Sequence, residues 1–171
     1  DMSAGSTPMN RLIQGEVGSG KTIVVMAGLL AAISDGYQGS LMVPTEVLAE
    51  QHFQTISTIF SKVDTPESSE NIIRVSIGDT EHQIVVALLT GSTKAKDKKI
   101  ILTKLQSCEI DLLIGTHAII ESNVEIPNMA LAVMDEQHRF GVRQRSALRQ
   151  KGSDNPHTLV MSATPIPRTL S

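Results

Sequence analysis

The chain has 171 residues, of which 40% are hydrophobic, and its formal net charge is −3. This length fits one ordinary domain with a substantial core, and the slight negative charge excludes a protein that attracts nucleic acid through its overall charge. Any nucleic-acid contact must therefore be local, and the single cysteine, Cys108, excludes an intrachain disulfide and fits a reducing cytoplasm.

The apolar runs and the two ends of the sequence indicate whether the chain spans a membrane, is secreted or is part of a longer protein. No apolar run approaches the roughly eighteen residues of a membrane span, and no signal peptide is recognisable. The chain opens at Asp1-Met2 and stops just after a proline-rich turn. We therefore expect residues 1–171 to be a fragment of a longer protein.

The predicted elements alternate between short aliphatic strands and helices. In chain order they are a strand at 12–13, a helix at 21–34, a strand at 40–43, a helix at 45–60, strands at 72–77 and 84–89, a helix at 93–106, and strands at 110–114, 131–134 and 158–161. Such alternation predicts an α/β fold in which helices sandwich a mostly parallel sheet.

Two segments carry more detailed expectations. In helix 45–60, Thr45 is a candidate N-cap, and the expected apolar stripe consists of Val47, Leu48, Phe53, Ile56 and Ile59 or Phe60. Residues 61–83 begin with an acidic, turn-rich loop and end in a partly alternating run, which predicts a hairpin with the following strand. We interpret 61–83 as an insertion at the edge of the sheet, away from the nucleotide.

A phosphate-binding loop is the clearest motif. GEVGSGKT fits G-x-x-x-x-G-K-[ST] at every fixed position, follows a predicted strand and opens a predicted helix. Glycines let consecutive N–H groups point at phosphate oxygens, and the helix N-terminus adds partial positive charge. The predicted cofactor-binding residues are Gly15, Glu16, Val17, Gly18, Ser19, Gly20, Lys21 and Thr22. The chain is therefore predicted to bind a nucleoside triphosphate.

A carboxylate pair closes the strand at 131–134. Asp135 is the predicted Mg²⁺ partner of the Thr22 hydroxyl, and Glu136 is placed to orient or deprotonate the attacking water. With Lys21 directed to the β and γ phosphates, these residues predict ATP and Mg²⁺ as the cofactors.

Further motifs give the chain a family resemblance. It resembles the first RecA-like motor domain of superfamily 2 helicases, of the DExH type. The matching segments are Gly15 to Thr22 (motif I), Pro44-Thr45-Glu46 (Ia), Gly115-Thr116-His117 (Ib), Asp135-Glu136-Gln137-His138 (II) and Ser162-Ala163-Thr164 (III).

Longer blocks, such as LLTGSTKAK and MDEQHRFGVRQRSALRQKG, resemble the RecG family of bacterial helicases. That resemblance implies an ATP-dependent DNA helicase or translocase of the bacterial cytoplasm. It would remodel stalled replication forks and Holliday junctions in recombination and repair. The transcription-repair coupling factor is the alternative relative, although Gln14, Ser19 and Gln137 favour RecG. A P-loop module that acts through partners is the non-enzyme alternative.

The resemblance also implies residue roles. The predicted catalytic residues are Lys21, Asp135, Glu136 and His138. The residues predicted to couple the nucleotide state to DNA binding are Ser162, Ala163 and Thr164. A hydrogen bond from His138 to a motif III hydroxyl is a hypothesis. The positions implied to contact the DNA backbone are Pro44, Thr45, Thr90, Gly91, Lys94, Gly115, Thr116 and His117. Each of these hydroxyl-bearing positions, taken alone, is also compatible with a helix cap.

Two basic runs have two interpretations each. Lys94, Lys96, Lys98 and Lys99 either contact phosphates or form a solvated helix face. Arg139, Arg143, Arg145 and Arg149 either form a charged amphipathic helix or meet DNA or another domain. His52, His82 and His157 receive no predicted role.

The resemblance finally implies partners from the same polypeptide. A complete motor needs two further parts. One is a second RecA-like domain with an arginine finger, and the other is an N-terminal wedge-type domain that recognises branched or duplex DNA. The 171-residue chain alone is therefore predicted to hydrolyse ATP negligibly and to unwind nothing.

Overall fold

A computed structural model describes residues 7–15, 20–63, 69–77, 83–136, 141–152 and 154–163, with the side chains of 61–63 and of Glu136 left aside. Its elements in chain order are β1 (Asn10–Gln14), α1 (Lys21–Ser34), β2 (Gln38–Met42), α2 (Glu46–Ile59), β3 (Ser61–Val63), β4 (Ile72–Ser76), β5 (Gln83–Leu89), α3 (Ala95–Gln106), β6 (Leu112–Gly115), a 3₁₀ turn (His117–Ile120), β7 (Met129–Glu136), α4 (Val142–Arg149) and β8 (His157–Ser162).

The described strands form one eight-stranded sheet in the order β1-β8-β7-β2-β6-β5-β4-β3. From β1 to β5 all neighbours pair in parallel, whereas at one edge β4 pairs antiparallel with both β5 and β3. The inner parallel strands β2 and β6 are buried at every position, which explains why β6 reads as the uninterrupted apolar run LLIG. The predicted α/β sheet is therefore confirmed.

Hydrophobic packing covers both faces of the sheet. On one face, Val25 and Leu29 of α1 and Phe53 of α2 pack with Leu131 and Val133 of β7. On the other face, the alternate residues of β7 pack beneath α3 and α4; this second cluster includes Ala132, Met134, Ile101, Leu105 and Leu148. The alternation of side chains along each strand thus divides the core between two helical layers.

Helix α2 begins as predicted but buries a different stripe. The Thr45 hydroxyl accepts a hydrogen bond from the Leu48 N–H at 3.3 Å, so Thr45 is the N-cap. Phe53 and Ile56 are buried, but Val47 and Ile59 are 63% and 66% exposed. The expectation for Val47 was wrong because the buried face follows the spacing 49, 53, 56, which Ala49 completes. Of the alternatives Ile59 and Phe60, it is Phe60 that packs against the core.

The segment after α2 forms the antiparallel edge of the sheet. β3 pairs with β4, and β4 pairs with β5 from Ile72 opposite Ala87 to Ser76 opposite Gln83. The predicted pairing of β4 with the following strand is confirmed, while β3 was not predicted. Whether 61–83 is an insertion remains a prediction. Within the described residues, no helix combines the length and the apolarity needed to cross a membrane.

Candidate functional site

The carboxyl ends of the parallel strands meet at one edge of the sheet, and the predicted site residues follow from them. Gln14 of β1 leads into the glycine loop, Met42 of β2 leads into Pro44-Thr45, and Leu89 of β5 leads into Thr90-Gly91. Gly115, Glu136 and Ser162 end β6, β7 and β8. Residues far apart in sequence therefore share one surface because parallel strands end on the same side.

The described residues at the two ends of the glycine loop, Gly15 and Gly20 to Thr22, connect β1 to α1. Gly15 N–H donates to the Ser162 carbonyl at 3.3 Å, which ties the loop to β8. Gly20 adopts a φ of 80°, in the left-handed region that favours glycine, and caps α1. The Lys21 ammonium donates to the Gly15 carbonyl, so it reaches back across the loop. Glu16, Val17, Gly18 and Ser19 lie outside the described residues.

Helix α1 presents its N-terminus to this loop. Its first turn carries no acidic residue, so its partial positive charge is not offset there by its own side chains. Thr22 in that turn is exposed. An anion seated in the loop would therefore meet the helix dipole, the Lys21 ammonium and the Thr22 hydroxyl together.

Asp135 lies at the end of β7 and faces this cationic end of α1. Burial raises the pKa of the Asp135 carboxyl, while the positive charges of His52 and Lys21 partly oppose that rise. Burial also lowers the pKa of His52, and Asp135 opposes that change. His52 of α2 therefore belongs to the surroundings of Asp135. Sequence reasoning gave His52 no role, because nothing in its spacing shows which strand its helix covers.

Replacing Asp135 with asparagine is expected to raise the thermal unfolding midpoint of the ligand-free protein at pH 7. The raised pKa means that the ionised carboxylate lowers the free energy of unfolding at pH 7, and asparagine, which is uncharged, removes this destabilisation. Because Asp135 is only half-buried, we expect a gain of roughly 1–3 °C. Well below the unfolded-state pKa of about 3.9, at roughly pH 2–3, the carboxyl is protonated in both states and the gain should vanish. Thermal melts across this pH range test this, with the exposed Asp154→Asn as control; an unchanged or lower midpoint at pH 7 would contradict it.

The predicted coupling residues are only partly described. Glu136 and Ser162 are paired in register between β7 and β8, and the Gly15 contact links the same strand end to the glycine loop. Gln137, His138, Arg139, Phe140 and Thr164 lie outside the described residues, as does the Glu136 side chain. The hydrogen bond from His138 to motif III therefore stays a prediction.

The turns predicted to contact a nucleic-acid backbone are ordered by their own hydroxyl groups. Thr90 and Thr116 are only 6% and 7% exposed. The Thr93 hydroxyl accepts the Thr90 N–H at 2.9 Å, and the hydroxyls of Thr90 and Ser92 lie 3.0 Å apart. The hydroxyls of Thr90 and Thr93 therefore hold the turn after β5, whereas the exposed residues of the turns are Gly91, Lys94 and His117.

The two basic runs differ in what their side chains contact. Lys98 pairs with Glu121, while Lys94, Lys96 and Lys99 are exposed on the α3 surface. In the second run, α4 is the amphipathic helix expected, with Leu148 buried beneath it.

Two arginines of α4 contribute to a cleft that extends to the amino ends of β1 and β8. Arg145 and Arg149 line a cleft of about 1160 Å³ beside Asn10 and Thr158. Asn10 and Thr158 are paired near the amino ends of β1 and β8. This part of the cleft therefore lies at the opposite edge of the sheet from Asp135.

A P-loop that follows β1 and opens a helix, a carboxylate at the end of β7 with β8 between these two strands, and a mostly parallel sheet covered on both faces define a RecA-like P-loop NTPase domain. The DEAD/DEAH box helicase family model matches residues 3–171, and the chain belongs to that family.

Among its relatives are proteins named ATP-dependent DNA helicase RecG. The chain is 52% identical to the one from Bacillus subtilis over 95% of its own length and 21% of the relative's. It is 49% identical to the one from Streptococcus pneumoniae over the same shares. A solved structure of RecG bound to a three-way DNA junction matches with a TM-score of 0.72 and 40% identity, covering 99% of this chain and 20% of that one. The chain thus spans about a fifth of the length of these relatives.

Proposed function

We propose that this chain is the ATP-binding half of an ATP-dependent DNA helicase that remodels branched DNA, such as stalled forks and Holliday junctions, in recombination and repair. The observation that carries the proposal is the shared edge of the sheet, where the Lys21 and Asp135 site adjoins the turns after β2, β5 and β6. The identity to RecG proteins from two bacteria supports the choice of DNA over other substrates.

The nucleotide would lie in the glycine loop, with Lys21 on its β and γ phosphates. The Thr22 hydroxyl and the Asp135 carboxylate are hard oxygen donors of the kind that Mg²⁺ prefers, so they fit this ion. Bound Mg²⁺ would neutralise charge that develops on the phosphate oxygens. Asp135 must be ionised for that role; burial raises the pKa of its carboxyl, and the positive charges of His52 and Lys21 oppose that rise. Glu136 would orient the attacking water.

DNA would run over the turns at 44–46, 90–94 and 115–117. Backbone N–H groups, Lys94 and His117 can bind phosphates without reading bases, which suits an enzyme that moves along any sequence. Lys96 and Lys99 extend this surface, whereas Lys98 is paired with Glu121. The arginines of α4 in the cleft beside Asn10 lie off this path.

The remaining parts of the motor would come from the same longer polypeptide of the bacterial cytoplasm. A second RecA-like domain would supply an arginine finger and the other half of the DNA path, and an N-terminal wedge-type domain would recognise the branch. Residues 1–171 would then form one helicase ATP-binding domain with 61–83 inserted in it.

The full-length protein is expected to hydrolyse ATP in a DNA-dependent manner and to separate the arms of a synthetic fork. The isolated chain should hydrolyse ATP at about 1% of that rate or less, because an arginine finger contributes roughly a thousand-fold or more. Phosphate-release assays with fork, linear duplex and no DNA measure both proteins. Strong DNA-dependent hydrolysis by the isolated chain, or no response of the full-length protein to forks, would contradict the proposal.

A further inference from the structure

Backbone hydrogen bonds join the turns after β2, β6 and β5, each to its neighbour in the sheet. Val43 N–H donates to the Gly115 carbonyl at 2.9 Å, which joins the β2 turn to the β6 turn. Thr116 N–H donates to the Leu89 carbonyl at 3.3 Å, which joins the β6 turn to the end of β5. We call residues 43–46, 115–116 and 90–93 the three-turn platform.

Glu46 connects the two outer turns of the platform directly. β2 and β5 are not neighbours, because β6 lies between them in the sheet. The first residue of α2 nevertheless spans that gap, since Glu46 Oε1 accepts the Ser92 N–H at 3.0 Å. The same oxygen would lie 3.2 Å from a Cβ placed on Gly91, so the turn packs closely against the carboxylate.

The position of Glu46 is itself fixed from two sides. Thr45 caps α2 through its hydroxyl, and an acidic residue in the first turn of a helix interacts favourably with the helix dipole. The Thr90 turn is likewise held by Ser92 and Thr93. A single side chain therefore joins two locally ordered turns into one rigid surface.

We propose that Glu46 is a positioning residue that sets the spacing of the outer turns of the platform, so that both meet consecutive phosphates of the DNA. This inference rests on the proposed function. A carboxylate beside a phosphate track is electrostatically unfavourable, so its contribution must come from the geometry that the Ser92 hydrogen bond imposes. Without that bond, DNA binding must order the Thr90 turn relative to α2, and affinity falls.

The test is the DNA concentration that gives half-maximal ATPase stimulation of the full-length protein. Glu46→Ala should raise this concentration about three- to ten-fold, the effect of losing one hydrogen bond to a charged group near solvent. The maximal rate at saturating DNA should stay within about two-fold of wild type. Glu46→Gln keeps an oxygen acceptor for Ser92 N–H and should restore most of the affinity.

Glu50→Ala is the matched control, since Glu50 is exposed one turn further along α2. It removes the same charge and should leave DNA affinity unchanged or slightly higher. Wild-type or tighter DNA binding by Glu46→Ala would overturn the inference, as would equal losses in Glu46→Ala and Glu46→Gln. A fall in maximal rate and thermal midpoint together with affinity would also overturn it, because that pattern marks a merely structural role.

The double variant Lys94→Ala, His117→Ala separates this inference from the proposed function. These exposed residues lie on the proposed DNA surface itself. If the double variant binds DNA as wild type does, the DNA surface is wrong. If it binds weakly while Glu46→Ala binds normally, only the role of Glu46 fails.

Discussion

Lys21→Ala in the full-length protein is expected to lower ATP hydrolysis by about 100-fold or more and to abolish fork unwinding, while DNA binding is retained. An ammonium aimed at the transferred phosphate group stabilises charge that develops during the reaction, and losing one such group costs about two to three powers of ten. The Lys21 ammonium already reaches across the loop to the Gly15 carbonyl, where a γ phosphate would compete for it.

DNA affinity should survive because the proposed DNA surface belongs to other elements. The turns after β2, β5 and β6 are joined by hydrogen bonds among their own residues. Steady-state ATPase rates and fork-binding isotherms give the two quantities separately. Lys104→Ala, which removes a lysine from the last turn of α3 outside the proposed DNA surface, serves as the control for general charge loss. Hydrolysis within ten-fold of wild type in Lys21→Ala would contradict the assigned role.

Gly115→Ala is expected to destabilise the domain and to weaken the DNA response together. A Cβ at Gly115 would lie 2.0 Å from the Leu89 carbonyl oxygen and 3.1 Å from Ile119 Cγ1. The oxygen belongs to the backbone of the neighbouring strand, so β5 and β6 must separate to relieve the overlap. That movement breaks the Thr116 to Leu89 hydrogen bond and displaces the middle turn of the platform. We expect a loss of about 2–3 kcal/mol, seen as a fall of roughly 5 °C or more in thermal midpoint.

Gly28→Ala provides the matched glycine control. Gly28 lies inside α1, and a Cβ there would meet Leu131 Cδ2 at 3.5 Å, which is ordinary contact. Because alanine is favoured over glycine in helices by about 0.5–1 kcal/mol, this variant should be as stable as wild type or more stable. Thermal melts and DNA-stimulated ATPase compare the two variants. A Gly115→Ala protein with wild-type stability and DNA response would show that the platform tolerates the displacement.

The elements of the core were predictable because burial on both sheet faces leaves a strong local pattern. The runs LLIG and LAVM are apolar at every position, and the structure places both in the buried centre of the sheet. Helix α1 was predicted over its observed span, since GKT marks its start and Asp35-Gly36 its end. The stripe of α2 was less certain from sequence, because Val47 is as apolar as a core residue yet is exposed.

The sequence by itself determined the glycine loop, the acidic strand end and the alternation of strands and helices. Each of these is a local pattern whose chemistry depends on adjacent residues. Only the tertiary structure decided that His52 shares the surroundings of Asp135 and that two arginines of α4 line a cleft beside Asn10. It alone decided that Glu46 reaches Ser92 across an intervening strand. Such contacts depend on strand order, which long-range packing sets and which leaves no spacing in the sequence.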